Sequence, residues 1–158
     1  MMDSFAIQNF GCRVNQAESF EWAGRFQELG LHLEPDPEKS RLVIVNTCTL
    51  TGRADRDSRK FIRRIARLNP EARVVVTGCL AERSPGEFDK IQGVWKVIRN
   101  SAKKSLPAQI LPDDRVVKDG GMLPFRSRAL LKVQDGCAMT CAFCIIPRVR
   151  GKSASAPI

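Results

Sequence analysis

The chain has 158 residues, 43% hydrophobic and 27% charged, with a formal net charge of +9 and a pI of about 9.7. That balance suits one packed domain, or one domain and part of a second, and excludes a disordered tail. No stretch approaches the ~18 apolar residues of a membrane helix, and the positive excess favours polyanionic partners, nucleic acid above all.

The opening MMDSFAIQNF carries Asp3 and no basic n-region, so it does not read as a secretion signal. A cytoplasmic location is the expectation. There, six cysteines are metal ligands or redox groups before they are structural disulfides.

In chain order, residues 4–10 (SFAIQNF) predict a strand ending at Gly11. NQAESFEWAGRFQELG predicts a helix capped by Asn15, with Phe20, Ala23, Phe26 and Leu29 at helical spacing and a stop at Gly30. RLVIVNT (41–47) and ARVVVTG (72–78) are continuous apolar runs, the pattern of strands buried on both faces. Between them residues 53–68 predict a basic helix halting at Asn69-Pro70, and VWKVIR (94–99) predicts another strand beyond a break at Pro85-Gly86. Strand and helix alternate, so the expected class is α/β with a mainly parallel sheet and helices on both faces. The Pro-, Gly- and charge-rich stretch 113–127 reads as a linker after a first domain of 1–112. RALLKVQ (128–134) predicts a further strand leading into a cysteine cluster, and the closing GKSASAPI is expected to fray.

The cysteines fall into two groups of three. Cys12, Cys48 and Cys79 each sit just past the carboxyl end of a predicted strand. In a parallel sheet those ends share one edge, where ligands bind. Placement alone leaves two readings open: small apolar residues filling strand ends, or a three-thiolate metal site. Cys137, Cys141 and Cys144 form CxxxCxxC in one loop. A structural zinc site needs four ligands, and the sole histidine, His32, is remote and reads as a surface or packed residue. A disulfide would leave one thiol over. Three thiolates suit a cubane iron-sulfur cluster whose fourth iron stays open.

This loop, with the aromatic Phe143 before its last cysteine, resembles the radical S-adenosylmethionine superfamily. Together with FGCRVNQAES, VNTCTLTGRADRDSR and VVVTGCLAER, it resembles the methylthiotransferase family over almost the whole chain. Among its subgroups the wording is most similar to the one acting on threonylcarbamoyl-adenosine in transfer RNA. The resemblance implies a methylthiotransferase N-terminal domain followed, at 128–158, by the first strand and cluster loop of a truncated radical-SAM partial barrel. It implies that Cys137, Cys141 and Cys144 ligate a 4Fe-4S cluster that binds S-adenosyl-L-methionine and cleaves it to a 5′-deoxyadenosyl radical, with Phe143 near the cofactor adenine. It further implies that Cys12, Cys48 and Cys79 hold an auxiliary 4Fe-4S cluster carrying the sulfur to be inserted. The implied partners are the tRNA anticodon loop, an electron donor and a sulfur source. Asn15, Asn46 and Thr77 could orient the auxiliary site, although polar residues are common at strand ends.

Ala138, Phe143 and Arg148 depart from the residues usual in the family, and none removes a cluster ligand. Fourteen residues follow Cys144, too few for a barrel, so the chain is expected to be a fragment with little turnover of its own. Isopentenyl-adenosine in tRNA and a ribosomal-protein aspartate are rival substrates with the same chemistry, and a non-enzymatic, metal-dependent RNA-binding module is a third reading. Residues 53–67 carry a local charge of +5. Arg56, Lys60, Arg63 and Arg67 are expected on one helical face and Phe61, Ile65 and Leu68 against the sheet; that face suits either RNA phosphates or plain solvent.

Overall fold

A computed structural model describes residues 2–111 and 130–156. β1 (Ser4–Asn9) leads through Gly11 into α1 (Arg13–Glu28) and the short edge strand β2 (His32–Leu33). Then come β3 (Leu42–Thr47), α2 (Gly52–Leu68), β4 (Arg73–Gly78), α3 (Cys79–Arg83), α4 (Pro85–Phe88) and β5 (Val94–Ile98). A 3-10 segment (Asn100–Ser105) runs into α5 (Leu106–Ile110). The sheet has five strands in the order β2-β1-β3-β4-β5, all parallel. This is an α/β unit of the doubly wound kind, in which the chain reverses direction across the sheet beside β1 and β3.

The apolar runs explain the two layers. Side chains alternate across a strand, so Leu42 and Ile44 pack with Phe5, Trp22, Phe26, Leu106 and Ile110 under α1 and α5. Val43 and Val45 face the other way, onto Ile62, Ile65, Leu80 and Phe88 of α2, α3 and α4. Both faces are covered, hence no polar alternation in β3. Each of these fully buried side chains contributes roughly 1.5–3 kcal/mol. Phe5 and Phe26 add a tilted ring contact at 5.2 Å.

Several sequence expectations need correction. The N-cap of α1 is Cys12, and Asn15 lies within the first turn with its side chain turned inward. The buried face of α2 is Ser58, Ile62 and Ile65, with Phe61 half-buried and Leu68 48% exposed. Leu68 lies about 60° further round the helix than Ile65, beyond the arc the sheet covers. Thr51 caps α2, its hydroxyl accepting from the Ala54 amide at 3.2 Å.

Over its described residues the strand expected at 128–134 is reduced to its last residue, Gln134. Only Gln134–Asp135 (β6) is extended, paired antiparallel with Ala154–Ser155 (β7). Leu131 and Val133 are 86% and 61% exposed, and a strand is held by a neighbour's ladder, which here is only two residues long. That same pairing orders Ala154–Ser155, within the tail expected to fray. Between β6 and β7 lie the cysteine loop and α6 (Ile146–Arg150). The linker expected at 113–127 lies outside the described residues. His32 is exposed on β2, and among the described residues no helix is long and apolar enough to cross a membrane.

Candidate metal centre

β1, β3 and β4 are adjacent, and their carboxyl ends deliver three thiols to one edge of the sheet. The β3–β4 register ends with Thr47 opposite Gly78, so Cys48 and Cys79 are each the next residue along two neighbouring strands. Cys12 starts α1 three residues past Asn9, which pairs with Asn46. Cys48 and Cys79 are buried and Cys12 is half-buried, and all six cysteines are free thiols.

The backbone is shaped for this. Gly78 adopts φ 98°, and a Cβ there would lie 2.3 Å from the Thr47 carbonyl oxygen and 2.7 Å from Asn46 Oδ1. Only glycine lets β4 pass that close to β3 and turn Cys79 straight into α3. A buried amide pair fixes the other side. Asn15 Nδ2 donates to Asn46 Oδ1 at 2.8 Å and to the Thr47 carbonyl at 3.0 Å, while Asn46 Nδ2 donates to the Asn15 carbonyl and Ser19 Oγ. Cys12 Sγ donates to Asn15 Oδ1 at 3.3 Å, and the Leu50 amide donates to Cys48 Sγ at 3.5 Å. Asn15 and Asn46 thus position Cys12 against β3. Thr77 is buried and gives only its carbonyl, to the Thr47 hydroxyl at 2.6 Å.

The second group sits on the loop between β6 and α6. Gly136, at φ 73°, opens it, and the Cys137 amide donates to the Gly151 carbonyl at 3.1 Å across its base. The Cys144 amide donates to the Cys141 carbonyl at 3.2 Å. Cys137 and Cys144 are half-buried and Cys141 is exposed, as is Phe143 at 95%.

Sequence reasoning missed the group that joins the two. Glu18 of α1 is buried and meets Lys103 Nζ at 2.6 Å, Lys132 Nζ at 2.8 Å and Arg150 at 3.1 Å. Asp135 meets the same three cations at 3.3, 2.9 and 2.8 Å. Two carboxylates against three cations leave one positive charge in excess beside Cys79. Burial pushes the Cys79 thiol up from its ordinary value, and the Arg150 guanidinium draws it partly back. Burial alone would raise the Glu18 carboxyl too, but Lys103 and Arg150 more than offset it and hold it low. The available signal was Glu18 itself, a charge in the stripe Asn15, Glu18, Ser19, Trp22 that the helix period buries.

Among the described residues no three His, Cys, Asp or Glu side chains converge closely enough to chelate a single metal ion. Three free thiols at one sheet edge, with an excess cation beside Cys79, are a donor set that fits an anionic group. A sequence profile of the "Uncharacterized protein family UPF0004" matches residues 4–99, the stretch that carries Cys12, Cys48 and Cys79. The chain belongs to the UPF0004 family. This is the N-terminal domain of methylthiotransferases, and the relatives carry that name. The UPF0004 chain is 37% identical over 157 residues to the "Threonylcarbamoyladenosine tRNA methylthiotransferase MtaB" of Chlamydia pneumoniae, covering 98% of this chain and 37% of the relative. It is 34% identical to the protein of the same name in Bacillus subtilis (strain 168), over 95% of this chain and 37% of the relative. The "Ribosomal protein uS12 methylthiotransferase RimO" of Synechocystis sp. is 28% identical, over 98% and 38%. The chain thus spans less than two-fifths of the length of these three relatives.

Proposed function

We propose that this chain is the N-terminal part of a tRNA methylthiotransferase that places a methylthio group on threonylcarbamoyl-adenosine next to the anticodon. In this reading residues 1–112 form the domain holding an auxiliary 4Fe-4S cluster on Cys12, Cys48 and Cys79. Residues 113–127 link it to 128–158, where Cys137, Cys141 and Cys144 hold a second 4Fe-4S cluster and Phe143 lies by the adenine of S-adenosyl-L-methionine. Such clusters supply one-electron cleavage of the cofactor and the sulfur to be inserted. The chain's own residues do the placing: Gly78 brings Cys79 level with Cys48, and Asn15 and Asn46 hold Cys12 beside them. Three thiolates in each group leave one coordination position open, which a site that binds cofactor or exogenous sulfur requires.

One observation carries the reading. Three free thiols stand just past the carboxyl ends of adjacent parallel strands, and Arg150 and Glu18 join that edge to a CxxxCxxC loop. The names of the relatives support tRNA as the substrate class. Residues 1–158 alone are proposed to load iron with little sustained turnover.

The test is a deletion strain. Mass spectrometry of its tRNA nucleosides is expected to show threonylcarbamoyl-adenosine without its methylthio group, restored by the wild-type gene and not by the Cys48→Ala gene. Intact tRNA modification with an unmodified ribosomal-protein aspartate would overturn the substrate. Stoichiometric zinc in place of iron and sulfide would overturn the chemistry.

A further inference from the structure

We infer that Arg150 is a positioning residue that clamps the cysteine loop onto the sheet edge carrying Cys12, Cys48 and Cys79, so that both thiol groups share one rigid frame. Its side chain is only 3% exposed. One guanidinium reaches three residues on two elements: it donates to Glu18 Oε1 at 3.1 Å and Asn15 Oδ1 at 2.6 Å on α1, and to Asp135 Oδ1 at 2.8 Å on β6. Asn15 Oδ1 is the atom that also accepts from Cys12, and Asp135 stands two residues before Cys137. The contact between the two thiol groups therefore runs Cys12, Asn15, Arg150, Asp135, Cys137, with no gap longer than a hydrogen bond or a short stretch of chain.

Apolar packing does little of this docking. Between residues 130 and 156, Val149 is the one buried apolar residue. Leu131, Val133, Met139 and Phe143 are all exposed. Lys103 from the 3-10 segment and Lys132 before β6 complete the charge pairing with Glu18 and Asp135. All three cations bridge Glu18 and Asp135, but only Arg150, with the several N–H groups of its planar fork, also reaches Asn15 Oδ1. A lysine retains charge and loses that geometry. The inference rests on the proposed function for the identity of what the thiols bind. The clamp itself is read without iron.

The experiment is thiol alkylation of the iron-free chain, followed cysteine by cysteine by mass spectrometry, for wild type, Arg150→Lys, Arg150→Gln and Glu18→Gln. Undocking uncovers Cys79, 2% exposed at the start of α3 where that helix packs against α6, and frees Cys12 from its amide. Alkylation of both is expected to rise by more than about tenfold in each variant, as loss of a buried ion-pair partner predicts for local opening. Exposed Cys141 and buried Cys48 should keep their wild-type rates. Cys79 rates within about twofold of wild type in both Arg150 variants would overturn the inference, being too small for an opening event. So would a rise shared equally by Cys48 in every variant, which would assign Arg150 to general stability. A wild-type chain that takes up no iron while Arg150 variants still uncover Cys79 would defeat the proposed function and leave the clamp standing.

Discussion

Gly78→Ala is expected to be among the most damaging single changes in the α/β unit, because it fails in two independent ways. The residue sits at φ 98°, ψ −169°, a region that L residues enter at a cost of about 1–3 kcal/mol. The added methyl would also lie 2.3 Å and 2.6 Å from the Thr47 carbonyl oxygen and amide nitrogen. Both are backbone atoms fixed in the β3–β4 ladder, so they cannot yield as a flexible side chain would. Overpacking of that kind costs typically another 1–3 kcal/mol. The sum, about 2–6 kcal/mol, is a large part of the ~5–15 kcal/mol that holds a domain together. Urea unfolding of the iron-free chain, compared at equal slope, reads it directly. The strain also falls on the one register that sets Cys48 against Cys79, so iron bound per chain should drop in the folded fraction. A variant within about 1 kcal/mol of wild type, with undiminished iron, would refute the claim that the close approach of β4 to β3 builds the site.

The other predictions follow the same geometry. Glu18→Gln removes the anion shared by Lys103, Lys132 and Arg150 and should cost roughly 3–5 kcal/mol in urea unfolding. Because Glu18 is held below its ordinary value, its contribution is present above the normal carboxylate range and lost as pH falls through the acid range. Lys132 is held above its ordinary value, so its share is complete at neutral pH and lost as pH rises past the lysine range. Stability measured against pH should therefore show a plateau with losses at both ends, and both losses should shrink in Glu18→Gln. Asn46→Ala strands Asn15, Ser19 and the Asn15 carbonyl and should cost about 2–4 kcal/mol, with faster alkylation of Cys12. Arg56, Lys60, Arg63 and Arg67 are exposed and form no ion pair among the described residues, whereas Arg53, Arg59 and Arg64 are paired with Asp57, Glu87 and Glu38. Changing Lys60, Arg63 and Arg67 to Gln should lower the salt slope of RNA binding, measured by fluorescence anisotropy, by about one per phosphate lost. An unchanged slope would assign that face to solvent.

The central strands and the thiol edge were legible because their causes are local. LVIV and VVV are buried on both faces, so composition alone marks them, and the parallel-sheet rule then carries residues just past their ends to one edge. β2 was not legible: two residues, His32 and Leu33, are strand only because the His32 amide meets the Asp3 carbonyl at 2.8 Å and the Glu34 amide meets Phe5. Asn15 misled for a related reason. Near a helix start it reads as a cap, and its actual partners, Asn46 and Thr47, lie 31 and 32 residues away. The segment 128–134 alternates apolar residues as a strand does, but alternation forms a strand only where a neighbour supplies hydrogen bonds, and over the described residues that neighbour pairs with Gln134 and Asp135 and adds one bond, from the Ala156 amide to the Val133 carbonyl at 2.8 Å.

The ion cluster shows most clearly what local reading cannot reach. Glu18 and Arg150 are 132 residues apart, and neither has a sequence neighbour that announces the other. Buried ions are also a poor means of stabilising a fold, since apolar replacements of the same volume often do as well or better. What a mixed-sign cluster provides is selectivity of arrangement. An apolar patch tolerates sliding, whereas Arg150 leaves a cation buried and unpaired unless Asn15, Glu18 and Asp135 arrive together. The arrangement that satisfies it is the one that holds Cys137 to Cys144 against the edge bearing Cys12 and Cys79. For two thiol groups proposed to serve one reaction, a contact that penalises every other docking does more than one that merely adds stability.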